Sequence, residues 1–271
     1  MPIFTRCSSA TPRRADAGRR HAYVGAMTQD RSIIAVTGAD RDEFLQGLVT
    51  NDIARAKGGL AYAALLTPQG KLIADFFLKG EPDRILIDVA TDVAPQLFQR
   101  LSMYKLRADV TLSQADVKLF RGTGPAPEGA LPDPRHPDLG WRLYGADAGD
   151  DGSDWTAIRV AHLIPEWGSE LGPETYILEA GFERMGGVDF KKGCYVGQEV
   201  TARMKHKTEL RKGFARVAVE GSAEPGTPIT AGEKAVGTLH SRAGNRAIAW
   251  LRFDRAQGEM RAGAARVTRA D

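Results

Sequence analysis

Cysteine is almost absent from this chain: two residues in 271, Cys7 and Cys194. So few thiols exclude a disulfide framework and fit a reducing compartment. No Cys-x-x-Cys pair or His/Cys cluster occurs, and His21, His136, His162, His206 and His240 are scattered without ligand spacing. We therefore expect no metal site and no iron–sulfur cluster ligated by this chain alone; a single thiolate could at most share a cluster with a partner. No apolar run approaches the ~20 residues needed to cross a bilayer, so no membrane partner is expected. The sequence also lacks a Gly-x-Gly-x-x-Gly dinucleotide loop and a P-loop. Basic residues are not interleaved with aromatics as single-stranded nucleic-acid binders require.

The net charge of +3 is unevenly spread. Residues 1–28 hold five arginines (Arg6, Arg13, Arg14, Arg19, Arg20) against Asp16, leaving 32 basic and 33 acidic residues for the remainder. The body is balanced, which argues against direct nucleic-acid binding. Residues 1–28 read as a disordered basic tail or a mis-assigned start, with translation beginning at Met27. The competing reading is an organelle presequence. The expected location is cytoplasmic, or the mitochondrial matrix if 1–28 is a genuine presequence.

The body reads as mixed elements. A strand is expected at 32–36, then a helix with Asp40 as N-cap and Glu43 completing a capping-box pattern. Strands follow at 60–66 and 71–78, joined by the turn Thr67-Pro68-Gln69-Gly70, and at 85–89. A helix is expected over 92–106 with Pro95 in its first turn. Residues 121–140, with five prolines and four glycines, read as a loop or subdomain connection. A helix over 155–163 precedes a Gly-punctuated run of short strands at 213–219, 227–230, 234–240 and 246–252, the pattern of a small antiparallel barrel or sandwich.

One segment is chemically dense. In Lys191-Lys192-Gly193-Cys194-Tyr195-Val196-Gly197-Gln198-Glu199 a thiol follows two lysines and lies between glycines, ahead of a helical stretch. Adjacent cations favour the thiolate, although a lone cysteine is commonly a small buried hydrophobe. The run from Lys192 to Glu199 resembles the signature of the YgfZ family of folate-binding proteins, relatives of the glycine-cleavage T-protein implicated in maintaining iron–sulfur enzymes. Three further stretches are similar to that family: Gly38 to Asp52, the Thr67-to-Lys71 hairpin with Asp75 beyond it, and Tyr104-Lys105-Leu106-Arg107 leading to Val110. The chain departs from the family at Leu163, where glycine is expected, and at Ile177, where proline is usual. The likeness covers roughly residues 30–255.

The resemblance implies an α+β, T-protein-like cloverleaf: two intertwined α/β subdomains around a folate-sized cavity over 29–208, and a C-terminal antiparallel β-barrel over 209–271. It implies tetrahydrofolate or a derivative as cofactor, and iron–sulfur assembly proteins and their client enzymes as partners. Cys194 would be the essential thiol, activated by Lys192. Asn51, Asp52, Lys105, Arg107, Tyr195, Gln198, Glu199 and Arg203 are the candidate cofactor-binding residues, with Gln198 and Glu199 orienting the Cys194 loop. Lys105 and Arg107 read equally as surface charges suited to a helix C-terminus. The eight basic residues between 191 and 216 read either as a receptor for a polyglutamate tail or as a solvated linker. The expected function is a folate-binding accessory factor for assembly or repair of 4Fe-4S proteins that supports tRNA modification indirectly. The alternatives are a folate-dependent aminomethyl-type transferase, whose family lacks the Cys194 signature, and a non-enzymatic regulator of tRNA modification.

Overall fold

Strands β1 (Arg31–Thr37), β2 (Leu60–Leu66), β3 (Leu72–Gly80) and β4 (Arg84–Ala90) carry long apolar runs, and β2 is buried along its whole length. A strand apolar on both faces must be covered on both. The computed structural model, which describes residues 31–145, 151–206 and 209–270, shows how. An antiparallel sheet in the order β2-β3-β4-β1-β5, closed by β5 (Thr111–Ala115), lies between two cores. Ala61, Ala63 and Leu65 face one core together with Leu45 of helix α1 (Arg41–Gln46) and Leu97 and Leu101 of α2 (Ala94–Lys105). Tyr62, Ala64, Leu66 and Phe77 face the other, which is filled by Trp155, Ile164, Phe182, Met185 and Tyr195.

The Pro/Gly-rich stretch holds more order than its composition implied. β6 (Leu119–Gly122), β7 (Leu131–Pro132) and β8 (Trp141–Tyr144) form a small sheet in the order β6-β8-β7. Helices α3 (Trp155–His162) and α4 (Gln198–His206) follow. The remaining strands form a closed antiparallel barrel: β9 (Lys212–Glu220), β10 (Pro228–Ala231), β11 (Lys234–Ala243), β12 (Arg246–Arg252), β13 (Met260–Ala262) and β14 (Ala265–Ala270). Alternation along β9 turns Ala215, Val217 and Val219 into its core. The last two strands escape a pattern search because they are short and interrupted by arginine.

The expected capping box at α1 does not form. Asp40 makes no side-chain cap; its Oδ2 instead accepts the Asp109 N–H at 2.8 Å, tying the start of α1 to the segment between α2 and β5. Pro95 does sit in the first turn of α2. The basic tail 1–28 and the proposed start at Met27 lie outside the described residues.

Candidate functional site

Between the two sheets lies a cavity of about 840 Å³, lined by Arg31, Asp75 and Phe77 of the large sheet, the β5–β6 connection, Arg121 of β6, Arg135, Arg142, Trp155 and Glu166. Strand periodicity puts Asp75 and Phe77 on one face of β3. Asp75 is 3 % exposed; its Oδ2 accepts the Tyr62 hydroxyl at 3.0 Å, while its Oδ1 has no hydrogen-bond partner among the described residues. Burial raises the Asp75 pKa, against the opposing pull of Arg31. An orphaned buried carboxylate oxygen is costly unless something outside the protein satisfies it.

Around Asp75 runs a chain of buried ion pairs. Asp88 accepts from Arg31 Nε at 2.6 Å, Arg142 Nη2 at 2.7 Å and the Tyr144 hydroxyl at 2.8 Å. Burial alone would raise its pKa, but Arg31 and Arg142 hold it well below the usual carboxylate range. Asp133 takes both forks of Arg135, at 3.0 and 2.9 Å. Glu166 is shared by Arg159 at 3.2 Å, Arg121 at 3.5 Å and Arg135 at 3.6 Å. The guanidiniums also cover rings: Arg142 lies 3.9 Å from the Phe77 centroid and Arg121 lies 4.2 Å from that of Trp155. Burial, reinforced by the neighbouring arginines, lowers the Arg121 pKa to about 10. The cavity thus offers an unsatisfied acceptor at Asp75 and a thinly neutralised guanidinium at Arg121, a setting for a ligand with both donors and negative charge.

None of the ten residues singled out from the sequence lines this cavity. Asn51 donates to Tyr62 O and Gly186 O, both at 2.7 Å, and Asp52 caps the short helical turn Ile53–Ala56 through Ala54 N. Lys192 is turned inward, donating from Nζ to Gln46 O at 2.6 Å and Val49 O at 2.5 Å. Gln46 ends α1 and Val49 lies in the turn just beyond it, so the ammonium ties down the C-terminal exit of that helix. Tyr195 is buried beneath it, 5.1 Å from Lys192 Nζ to the ring centroid, with burial raising its pKa. The structure therefore brings 49–52 and 186–195 together as one docked unit, further tied by Thr50 Oγ1 donating to Gly187 O at 2.7 Å.

Cys194 is exposed at the outer edge of this unit. Its loop is set by Asp189, whose Oδ1 accepts the Lys191 and Lys192 N–H groups at 2.7 and 3.2 Å. Gln198 opens α4, and Glu199 pairs with Arg203 at 2.7 Å on the solvent face of that helix. Arg203 borders a separate surface groove beside the barrel. Lys105 and Arg107 stand at the far end of α2, away from both.

Sequence reading missed most of the cavity wall. Asp75 and Asp88 carried a signal, an acid inside the apolar stretch of a strand (Leu72–Gly80, Arg84–Ala90). Arg135 and Arg142 carried none, because they arrive from a Pro/Gly-rich segment whose path only the folded chain reveals.

A family model described as the CAF17 C-terminal beta-barrel domain matches residues 211–270. The chain is 31 % identical over 278 residues to a Mus musculus protein named "Iron-sulfur cluster assembly factor IBA57, mitochondrial", covering 85 % of this chain and 78 % of that one. It is 32 % identical over 247 residues to the Mycosarcoma maydis homolog of the same name, covering 78 % of this chain and 61 % of that longer protein. The chain thus spans under two thirds of that fungal relative. A Bartonella henselae glycine cleavage system aminomethyltransferase T superposes with a TM-score of 0.69 over 89 % of this chain and 82 % of its own, at 14 % identity. That likeness establishes the T-protein-like fold.

Proposed function

The chain belongs to the IBA57 family, and from that premise we propose that it is an iron–sulfur cluster assembly factor whose cavity holds tetrahydrofolate or a derivative. The observation that carries the ligand assignment is the orphaned Asp75 Oδ1 on the wall of the cavity. A pterin presents an amino-pyrimidine edge of adjacent N–H donors, which a fixed carboxylate accepts in parallel. Tyr62 orients Asp75, and Arg121 supports the anionic end of the ligand. Bound there, the folate would supply a one-carbon carrier. The YgfZ-like signature from Lys192 to Glu199 supports placing the chain with YgfZ-type members of this family.

Cys194, outside the cavity, is proposed to act toward a partner protein and not toward the folate. Lys192 serves it by holding the loop, since its ammonium is committed to carbonyls. The mouse and fungal relatives are named as mitochondrial, and a presequence in 1–28 would put this chain in the same compartment. Support for tRNA modification would follow indirectly, through modifying enzymes that carry iron–sulfur clusters.

Titration calorimetry with tetrahydrofolate tests the ligand. Asp75→Asn keeps the size and an acceptor for Tyr62 but turns an N–H toward the ligand's donors. It is expected to weaken binding by about 30- to 100-fold, the equivalent of one charge-assisted contact. Equal affinity in both proteins would remove Asp75 from the site, and no binding by the wild type would remove the folate.

A further inference from the structure

The histidines that look scattered in the sequence do not stay so. His136 caps the short helical turn Pro137–Leu139, Asp138 lies within that turn, and His162 ends α3. One ligand atom from each lies within 4.8 Å of the others, and they form the single cluster of three or more His, Cys, Asp or Glu found among the described residues. His162 Nε2 stands 2.7 Å from Asp138 Oδ2, and the two imidazoles stack at 3.8 Å and 24°.

We propose that His136, Asp138 and His162 form a site for a borderline divalent transition metal of the Zn²⁺ class, fastening the loop that carries Arg135 to the end of α3. Two imidazoles and a carboxylate suit zinc-like ions and not magnesium or calcium, which prefer all-oxygen shells. Three protein ligands leave a fourth position for water. Bonds of about 2 Å place donor atoms of a tetrahedral ion about 3.3 Å apart. Each imidazole coordinates in its own plane, so the stacked rings must turn apart to share an ion; Asp138, 62 % exposed, and His162, 28 % exposed, have room for that adjustment.

The backbone around the site is held firmly. Arg184 donates to His162 O at 3.0 Å and to Leu163 O at 2.5 Å, and Arg216 donates to Ala161 O at 2.7 Å. His136 Nδ1 accepts the Asp138 N–H at a long 3.2 Å, a weak contact that an ion bound at that nitrogen would replace. Arg184, Arg216 and Arg269 border the same groove, and their charge makes the site weaker than a closed structural one. The consequence reaches the cavity, because Arg135 and Asp133 belong to the loop being fastened.

The test uses untagged full-length protein in a Cys7→Ser/Cys194→Ser background, so that neither a tag nor a thiol binds the probe. Calorimetry with Zn²⁺ is expected to give one ion per chain with Kd below about 100 µM. His136→Ala, His162→Ala and Asp138→Asn should each weaken binding at least tenfold, and Zn²⁺ near the parent's Kd should raise Tm more in the parent than in any variant. The exposed Asp138→Asn change keeps the test valid if a histidine variant folds poorly. Kd above that limit, or binding unchanged in Asp138→Asn and the histidine variants, would overturn the proposal. So would stabilisation by inorganic phosphate and not by Zn²⁺, which would assign the groove to an anion.

Discussion

At the scale of single residues, Lys192 shows how neighbours in sequence can differ in task. Beside a thiol it reads as an activator; folded, it caps Gln46 O and Val49 O while Cys194 faces solvent. Sequence adjacency does not reveal side-chain direction, so a loop that alternates inward and outward misleads. Burial lowers the Lys192 pKa to about 8, with Asp52 and Asp189 opposing. Its unfolded value lies near 10.4. Between these values the unfolded chain binds more protons, so stability contributed by this group rises with pH from about 8 to about 10.4, and the penalty is complete below that window. Urea midpoints of wild type and Lys192→Met, followed across the window, should differ by an amount that grows with pH in favour of the wild type. The variant should also be less stable by about 2 kcal/mol at pH 7, having left two buried carbonyls unsatisfied. A difference that does not vary with pH would contradict the buried ammonium. Asp75 was legible as a family match and as an acid in an apolar strand, whereas its orphaned oxygen is visible only in three dimensions.

At the scale of elements, one glycine of the signature, Gly197, proves to be a docking surface, whereas Gly193 faces open space. Gly197 has φ +84, and a Cβ there would meet Thr67 O at 2.6 Å; one on Gly70, φ +77, would meet Val200 Cβ at 2.8 Å. The β2–β3 turn and the start of α4 touch through these two positions, where a side chain would not fit. Leu163 is the converse. The family resemblance calls for glycine there, and the chain places leucine at φ 54, ψ 54 as the C-cap of α3. Left-handed backbone costs a non-glycine residue roughly 1–2 kcal/mol, while glycine returns about 0.5–1 kcal/mol to the unfolded chain. Leu163→Gly should therefore stabilise by about 0.5–1 kcal/mol, a Tm increase of about 2 °C by calorimetry. A lower Tm would mean that the leucine side chain contributes more packing than its backbone loses. The strands at 31–37, 60–90 and 212–252 and the helices α1 to α3 were legible from periodicity, unlike the small sheet of 119–144 and the last two barrel strands. The cap at Asp40 was not legible either, because its side chain is claimed by Asp109, distant in sequence.

At the scale of the whole molecule, the large sheet, the small sheet and α3 are joined by the ion-pair chain Arg31–Asp88–Arg142–Asp133–Arg135–Glu166–Arg159–Glu170. Arg159 Nη2 extends it to Ser241 Oγ in the barrel at 3.1 Å. The α+β class, the barrel and the existence of a cavity were legible in sequence, through strand spacing and family likeness. The charged wall was not, since each pair joins segments far apart in the chain. Asp88, Asp133 and Glu166 all have lowered pKa values despite burial, through their arginines. Their stabilisation is complete above the unfolded carboxylate range of about 4 and disappears as pH falls through the lower folded values. Acid unfolding followed by circular dichroism should therefore begin below about pH 4, and Arg142→Met, which strips Asp88 and Asp133 of a partner, should move the midpoint upward. An unchanged midpoint would dissolve the claim that this chain of charges holds the subdomains together. The central claim, that this family member supports iron–sulfur assembly through both its cavity and its thiol, is tested most directly by rescue. Cells lacking the protein would receive wild type, Asp75→Asn or Cys194→Ala at matched levels, with the activity of a 4Fe-4S enzyme as readout. The account predicts restoration by the wild type and loss in both variants; full restoration by either variant, or none by the wild type, would contradict it.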